Sequence, residues 1–125
     1  MSPDTNKIRY SDVELAEFDL LLDQKIAKAA ENLDYYKSQI KELADADETK
    51  LKSLGDATGS VESERLQSMA ARQNKLIKHL ENSKIRIKNK VYGICRETGA
   101  LISKERLKAV PHATLSIKAK QNKNK

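Results

Sequence analysis

The chain is poor in the residues that build disulfides, bulky cores and tight loops. Its 125 residues include one cysteine, one phenylalanine, no tryptophan, two prolines and four glycines. A single cysteine excludes an internal disulfide, which agrees with a reducing compartment. At this length the chain forms one small domain, with or without a long projection, and is too small for a deep catalytic cleft. Few large aromatic side chains favour thin coiled-coil packing over a bulky globular core.

Long apolar runs are also missing. No stretch approaches the roughly 18 consecutive apolar residues of a membrane span, and residues 1–7 lack the apolar centre of a signal peptide. The sequence therefore predicts a cytoplasmic protein with no membrane partner. It also contains no glycine-rich phosphate loop, no Ser/His/Asp grouping and no closely spaced histidine pair, so we predict that it is not an enzyme and has no small-molecule substrate.

Charge is divided unevenly along the chain. Residues 1–71 contain 9 Lys and Arg against 15 Asp and Glu, whereas residues 72–125 contain 15 against 3. The two parts therefore carry −6 and +12, which sum to the net charge of +6. This asymmetry predicts binding to a charged partner, nucleic acid included, unless an acidic first helix lies beside a basic second helix and neutralises part of it.

Helical periodicity dominates residues 11–91, which follow a polar tail over residues 1–10. Ser11 and Glu14 form a capping-box pattern that starts a helix near Asp12. Its apolar residues repeat in heptads at Leu15, Leu22, Ile26, Ala29, Leu33, Tyr36, Ile40 and Leu43. Residues 44–60 lose this period and predict a bend. A second helix starts at Ser60 or Ser63 and runs to about Lys90, with its stripe at Leu66, Met69, Ala70, Leu76, Ile77, Leu80, Ile87 and Val91. These patterns predict a mainly α protein built on an antiparallel coiled-coil hairpin.

Residues 92–120 have the spacing of a zinc ribbon but not its ligands. Two C-x-x-C knuckles would supply four thiolates, and the four positions here are Cys95, Thr98, Ser116 and Ala119. His112 is the only other soft ligand nearby, so we predict a degenerate zinc finger that folds without metal. We expect Cys95 and Ala119 to pack as small apolar groups, and Thr98 and Ser116 to hydrogen-bond the knuckle backbone. A reactive Cys95, helped by neighbouring Arg96, is the less favoured alternative.

The remaining segments of this module are short. Ser103 can cap a helix over Lys104–Ala109 that Pro111 ends. A last helical stretch is predicted over residues 113–120, followed by a frayed tail over residues 121–125.

This framework, with Arg106-Leu107-Lys108-Ala109-Val110-Pro111 between the knuckles and Arg72-x-x-Lys75-Leu76-Ile77-Lys78 upstream, resembles the TraR/DksA family. The resemblance is strong over residues 72–120 and loose over residues 44–60. It implies a transcription regulator that binds bacterial RNA polymerase and inserts a helical hairpin into the secondary channel of the enzyme.

The resemblance also implies roles for residues at the hairpin tip and along its shaft. The family carries a D-x-x-D-x-A motif at the tip, of which only Ala57 matches here. Asp45, Asp47 and Asp56 are the acidic candidates that could substitute for its aspartates. On the second helix, Arg72 and Lys75 match basic positions that lie against the polymerase.

Some family members share a guanosine tetraphosphate site with the polymerase, and that pattern is only half kept. Leu76 and Lys120 match it, whereas His79 replaces a lysine and Val110 replaces an arginine. Because two cations that would face phosphate are lost, we expect a weak or absent response to this nucleotide.

Two other functions are compatible with the sequence. The cations Lys84, Arg86, Lys88 and Lys90 could track the phosphates of a nucleic acid without polymerase, although Tyr92 is the only stacking residue nearby. Acidic side chains at the tip could instead hold a magnesium ion in the polymerase and promote transcript cleavage, which would require a well-placed pair.

Overall fold

A computed structural model describes the backbone of residues 8–50 and 57–123, and the side chains of residues 8–46 and 61–121. The described chain contains helices α1 (Asp12–Lys50), α2 (Ala57–Lys88), α3 (Lys104–Ala109) and α4 (Ile117–Lys123). In these described ranges the only extended pairing is an isolated antiparallel bridge between Ile94 and Leu101. The fold is therefore mainly α, as the periodicity predicted. No described helix combines the length and hydropathy that a membrane span requires.

The ends of α1 and α2 follow from local hydrogen bonds. The backbone N–H of Ser11 donates to the Glu14 carboxylate at 2.9 Å, and the Glu14 N–H donates to the Ser11 hydroxyl at 3.1 Å, which is the predicted reciprocal capping box. At the other helix, Val91 N–H donates to the Arg86 carbonyl and Lys90 N–H to the Ile87 carbonyl. This Schellman pattern ends α2 at Lys88 and holds Lys90 at a φ of 64°.

The helices occupy more of the predicted bend than the sequence suggested. Helix α1 continues to Lys50 and α2 already begins at Ala57, whereas the loss of apolar period had predicted a bend from residue 44 to residue 60. Good helix formers such as Ala44 and Lys50 keep the backbone helical after the buried stripe ends. Residues 51–56, which join the two helices, lie outside the described residues.

The described chain divides into two compact units, the first made of Met1–Lys25 with His79–Lys125 and the second of Ile26–Lys78. In the second unit the buried side chains are Ala29, Leu33, Leu66 and Ala70, all from the two predicted stripes. Tyr35 and Tyr36 of α1 lie edge to face, with ring centroids 5.7 Å apart. The thin packing predicted from small and aliphatic residues is therefore present in this unit.

The first unit has a larger core. It buries Tyr10, Leu15, Phe18 and Leu22 from the start of the chain, and Leu80, Tyr92, Cys95, Ile102, Leu107, Ala113 and Ala119 from its second half. Here α1 and α2 run antiparallel, because Lys84 pairs with Asp23 and Asp19, whereas the later Lys90 pairs with the earlier Asp12 at 2.9 Å. These pairs place part of the acidic charge of α1 beside the basic charge of α2, so the charge asymmetry is partly neutralised inside the molecule.

Two details of this unit differ from the sequence-based prediction. Tyr10, assigned to a polar tail, is 4% exposed, and its hydroxyl donates to the Ile102 carbonyl. Val91, assigned to the buried stripe, is 46% exposed because α2 ends before it and the chain turns at Lys90. A heptad count cannot detect either effect, since both depend on contacts with the segment after residue 92.

Candidate functional site

The first part of the candidate site is the knuckle module that follows α2. Gly93 has a φ of +80°, and an added Cβ would lie 2.6 Å from the Tyr10 ring. Ile102 N–H donates to the Gly93 carbonyl at 2.7 Å, and Cys95 N–H donates to the Ala100 carbonyl at 2.8 Å. Glycine therefore supplies both the dihedral angle and the room that the turn needs.

Three of the four zinc-ligand positions take up hydrogen bonds within the module. The Thr98 hydroxyl accepts from Ala100 N–H at 3.2 Å, and the Ser116 hydroxyl accepts from Ala119 N–H at 3.1 Å. Ser116 N–H donates to the Cys95 sulfur at 3.4 Å. Cys95 and Ala119 are only 1% and 5% exposed. Thr98, Ser116 and Ala119 thus have the contacts that the sequence predicted, whereas Cys95, predicted to pack as an apolar group, also accepts a hydrogen bond.

These positions do not fit a structural zinc ion. A closed tetrahedral site needs four donors, usually thiolate sulfur and imidazole nitrogen. Ala119 has no donor atom, and Thr98 and Ser116 offer neutral hydroxyls that already accept backbone N–H groups. Across the described part of the chain, no three His, Cys, Asp or Glu side chains lie close enough to share a metal ion.

The Cys95 thiol lies in an unusual electrostatic environment. Burial raises its pKa, but donors around the sulfur outweigh burial and lower the pKa to about 6. These donors are the Thr98 hydroxyl and the backbone N–H groups of Ser116, Thr98 and Glu97. The knuckle backbone therefore still stabilises a thiolate, although this sulfur is shielded from solvent and reactive cysteines are normally accessible.

Short elements hold the rest of the module together. The Ser103 hydroxyl caps α3 by accepting from Arg106 N–H at 3.2 Å, as predicted. The Tyr92 hydroxyl donates to the Pro111 carbonyl at 2.8 Å, and Lys104 on α3 pairs with Glu14 on α1 at 2.6 Å. Helix α4 begins at Ile117, later than the predicted residue 113, because the Thr114 carbonyl accepts from Arg96 N–H at 2.9 Å and Ser116 caps the helix instead.

The second part of the candidate site is a cavity of about 540 Å³ beside this module. Its wall is formed by His79, Asn82, Arg86, Arg96, Arg106, Val110, His112, Ala113, Thr114, Leu115 and Lys120. Four of these residues are Arg or Lys, and none is Asp or Glu. The cavity is therefore cationic, and it includes three of the positions, His79, Val110 and Lys120, that were compared with the family's nucleotide pattern.

Sequence reasoning missed most of this wall. In the sequence, Arg96 is a neighbour of Cys95, Arg106 is part of a motif, and His112 is a possible metal ligand. Nothing in the sequence indicates that the three share one cavity. The Arg106 guanidinium donates to the Leu115 carbonyl at 2.9 Å, so it is oriented by the segment that precedes α4. Contacts between residues this far apart in a short module leave no periodic signal in the sequence.

The other predicted site residues lie in the second unit. Arg72 and Lys75 are exposed on α2, and Asp45 is exposed near the end of the described part of α1. Asp47 lies in α1 and Ala57 begins α2, but their side chains are outside the described set, as is the whole of Asp56. The structure therefore describes the shaft candidates fully and the tip candidates only in part.

Comparison with known proteins agrees with this geometry. Residues 90–124 match the family model described as the prokaryotic dksA/traR C4-type zinc finger. Over 50 residues the chain is 42% identical to the RNA polymerase-binding transcription factor DksA of two Caulobacter vibrioides strains, NA1000 / CB15N and ATCC 19089 / CIP 103742 / CB 15. That match covers 40% of this chain and 35% of each relative, so it spans about a third of their length.

The fold extends the comparison over most of the chain. The structure of transcription factor DksA2 from Pseudomonas aeruginosa superposes with a TM-score of 0.76, covering 90% of this chain and 84% of that one. At 22% identity this likeness shows the fold alone. The finger match, the local identity and the fold agree. The three comparisons all show similarity to the TraR/DksA family. The finger-like segment of this chain has ligand positions that do not fit zinc.

Proposed function

We propose that this TraR/DksA-type chain is a non-enzymatic transcription regulator that binds bacterial RNA polymerase. The observation that carries the proposal is the segment 42% identical to proteins named as RNA polymerase-binding transcription factors. The DksA-like fold over 90% of the chain supports it. A cytoplasmic location follows from this partner.

The route into the polymerase is the finer part of the proposal. We infer that the paired helices enter the secondary channel and bring their tip near the active centre, with Asp45, Asp47, Asp56 and Ala57 as tip residues. Their acidic side chains would add negative charge where the enzyme holds its catalytic metal, and the helices would occupy space there. No transcript cleavage is proposed, because the tip keeps only the alanine of the family's acidic motif.

Arg72 and Lys75 are the proposed shaft contacts. Both side chains are exposed on α2, and neither forms an ion pair with any residue in the described ranges. An unpaired arginine can bind a carboxylate on a partner through two parallel hydrogen bonds. These two cations are therefore available to acidic residues on the polymerase surface.

The proposed protein works without a resident metal. The Thr98 and Ser116 hydroxyls accept backbone N–H groups, and Cys95 and Ala119 are buried; these contacts replace part of the stabilisation that zinc would supply. We also propose a weak response to guanosine tetraphosphate, because His79 and Val110 lack the charges of the family pattern. The same wall also carries three arginines, Arg86, Arg96 and Arg106, whose charge attracts phosphate. Regulation measured with and without the nucleotide gives the size of the response.

Independent nucleic-acid binding has less support. Of the four cations that favoured it, Lys84 pairs with Asp23 and Asp19, and Lys90 pairs with Asp12. Tyr92, the stacking candidate, is 1% exposed and therefore cannot stack on a base. Direct nucleic-acid binding is thus at most secondary to polymerase binding.

The test is co-purification of the full chain with core RNA polymerase at low ionic strength. We expect binding by the unchanged chain and a loss of roughly tenfold or more for Arg72→Ala with Lys75→Ala, since loss of a charge-assisted contact costs about 1.5–3 kcal/mol. Lys37→Ala, another exposed cation of the same unit, is the matched control and should bind normally. Absence of binding by the unchanged chain would refute the proposal.

A further inference from the structure

The chain contains two histidines, and the fold brings them together. His79 lies on α2 and His112 lies between α3 and α4. Their ring centroids are 5.7 Å apart, and the ring planes differ by 13°, so the imidazoles stack. The contact holds residues 110–116, called here the linker, against α2.

The linker carries bonds that shape the rest of the module. Its Thr114 carbonyl accepts from Arg96 N–H at 2.9 Å, and its Leu115 carbonyl accepts from the Arg106 guanidinium at 2.9 Å. A displacement of the linker would therefore break the bond to Arg96 in the knuckle and release the Arg106 side chain into the cavity.

The residues that surround the histidine pair disfavour an added positive charge. The cavity wall presents Arg86 from α2, Arg96 from the knuckle, Arg106 from α3 and Lys120 from α4, with no carboxylate among its residues. In addition, Nδ1 of His112 is buried and has no hydrogen-bond partner in the described structure. A protonated imidazole must donate from both nitrogens, so an imidazolium at this position would lack an acceptor for Nδ1–H.

We propose that His79 and His112 form a proton-sensitive latch, which holds the linker against α2 when His112 is neutral and releases it when His112 is protonated. Stacked neutral rings attract each other, whereas an imidazolium at His112 is repelled by the Arg106 guanidinium on the same cavity wall. The latch is a regulatory device of the module itself and does not depend on polymerase binding.

The direction of the pH effect follows from the environment of His112. Burial, the charge on His79 and the charge on Arg106 all lower the pKa of His112 below its usual value. The released form therefore binds more protons than the closed form just below about pH 6.5, the pKa of unperturbed histidine. Closure is fully favoured above that pH and is lost as the pH falls below it.

Nuclear magnetic resonance of the full chain tests the latch directly, because its two histidines give separate imidazole signals. Between pH 8 and pH 5, we expect His112 to titrate with a midpoint below that of an unperturbed histidine, about pH 6.5. The backbone amide signal of Arg96, which reports the bond to Thr114, should shift with the same midpoint.

Three variants separate the latch from general acid sensitivity. His79→Gln removes an imidazole that opposes protonation of His112, and should raise the His112 midpoint. His112→Gln should abolish the shift of the Arg96 amide in this range. Lys118→Gln, an exposed cation of α4 that is not on the cavity wall, should leave the midpoint nearly unchanged. If His112→Gln does not fold, the unchanged chain and His79→Gln still decide. A His112 midpoint at or above that of an unperturbed histidine, or an Arg96 amide that does not respond while His112 titrates, would overturn the proposal.

Discussion

Gly93→Ala should destabilise the first unit through one identifiable contact. The added Cβ would lie 2.6 and 2.7 Å from two carbons of the Tyr10 ring and 3.2 Å from Leu107. The ring cannot move freely, because its hydroxyl donates to the Ile102 carbonyl and the ring makes an edge-to-face contact with Phe18, with centroids 5.6 Å apart. The substitution therefore forces the Tyr10 contact to shift.

The size of the effect can be divided into two parts. A residue with a Cβ at a φ of +80° costs about 1–2 kcal/mol, and overpacking a tight contact costs about 1–3 kcal/mol more. Gly99 offers a matched control, since its φ is +75° but an added Cβ would have nothing within 4 Å. Gly99→Ala therefore has the same conformational cost and the same change in unfolded-chain entropy as Gly93→Ala, but no clash between the added Cβ and a neighbouring side chain.

Urea unfolding followed by circular dichroism measures both variants. We expect Gly93→Ala to lose about 1–3 kcal/mol more free energy of unfolding than Gly99→Ala. In a Tyr10→Ala background, where the added methyl has room, this difference should disappear. Equal losses for the two glycine variants would refute the packing argument, because the Tyr10 contact would then have no energetic role.

Further predictions concern the knuckle and the helix ends. The Cys95 thiolate, detected by its ultraviolet absorbance, should appear with a midpoint near pH 6, and the free energy of unfolding should rise with pH from about 6 up to the pKa of an unfolded thiol. Cys95→Ala should remove both effects. A thiolate midpoint near that of a free thiol would contradict the lowered pKa of Cys95. Ser103→Ala should cost about 1 kcal/mol, because α3 loses the side chain that caps it, and an unchanged thermal midpoint would argue against that role. Lys90→Gly should raise the free energy of unfolding by about 1 kcal/mol, since glycine tolerates the positive φ and the lost Lys90–Asp12 pair is exposed. A lower free energy of unfolding in urea would contradict this prediction.

Much of the fold was predictable from local patterns. The capping box at Ser11 and Glu14 and the Ser103 cap have short, directional sequence signals, and both occur as predicted. The heptad stripe likewise predicted that Leu15 and Leu22 would be buried. Such signals depend on residues a few positions apart, which is the range that helix geometry couples.

The cavity and the burial of Tyr10 were beyond this kind of reasoning. Tyr10 bonds to Ile102, ninety-two residues away, and nothing in the polar sequence around it indicates a buried partner. His79 and His112 are thirty-three residues apart in the sequence, yet their rings stack. These contacts are created by the path of the chain through the knuckle, where periodicity carries no information.

Other contacts take the place of zinc ligands in the knuckle module. Its ligand positions are replaced by hydroxyls that accept backbone N–H groups and by small side chains that fill the interior. The remaining sulfur of Cys95 is still surrounded by donors, as a metal-bound thiolate would be. The surrounding backbone can therefore keep the shape of a knuckle while packing and hydrogen bonds take over part of the stabilisation that zinc binding supplies elsewhere.

The most direct test of this account is the zinc content of the protein grown with added zinc, combined with its thermal unfolding in the presence of a chelator. A variant carrying Thr98→Cys, Ser116→Cys and Ala119→Cys restores four thiolates and serves as the positive control, which should bind one zinc per chain. We predict far less than one zinc per unchanged chain and the same unfolding midpoint with and without chelator. One zinc per unchanged chain, lost to the chelator together with cooperative unfolding, would contradict a metal-free finger.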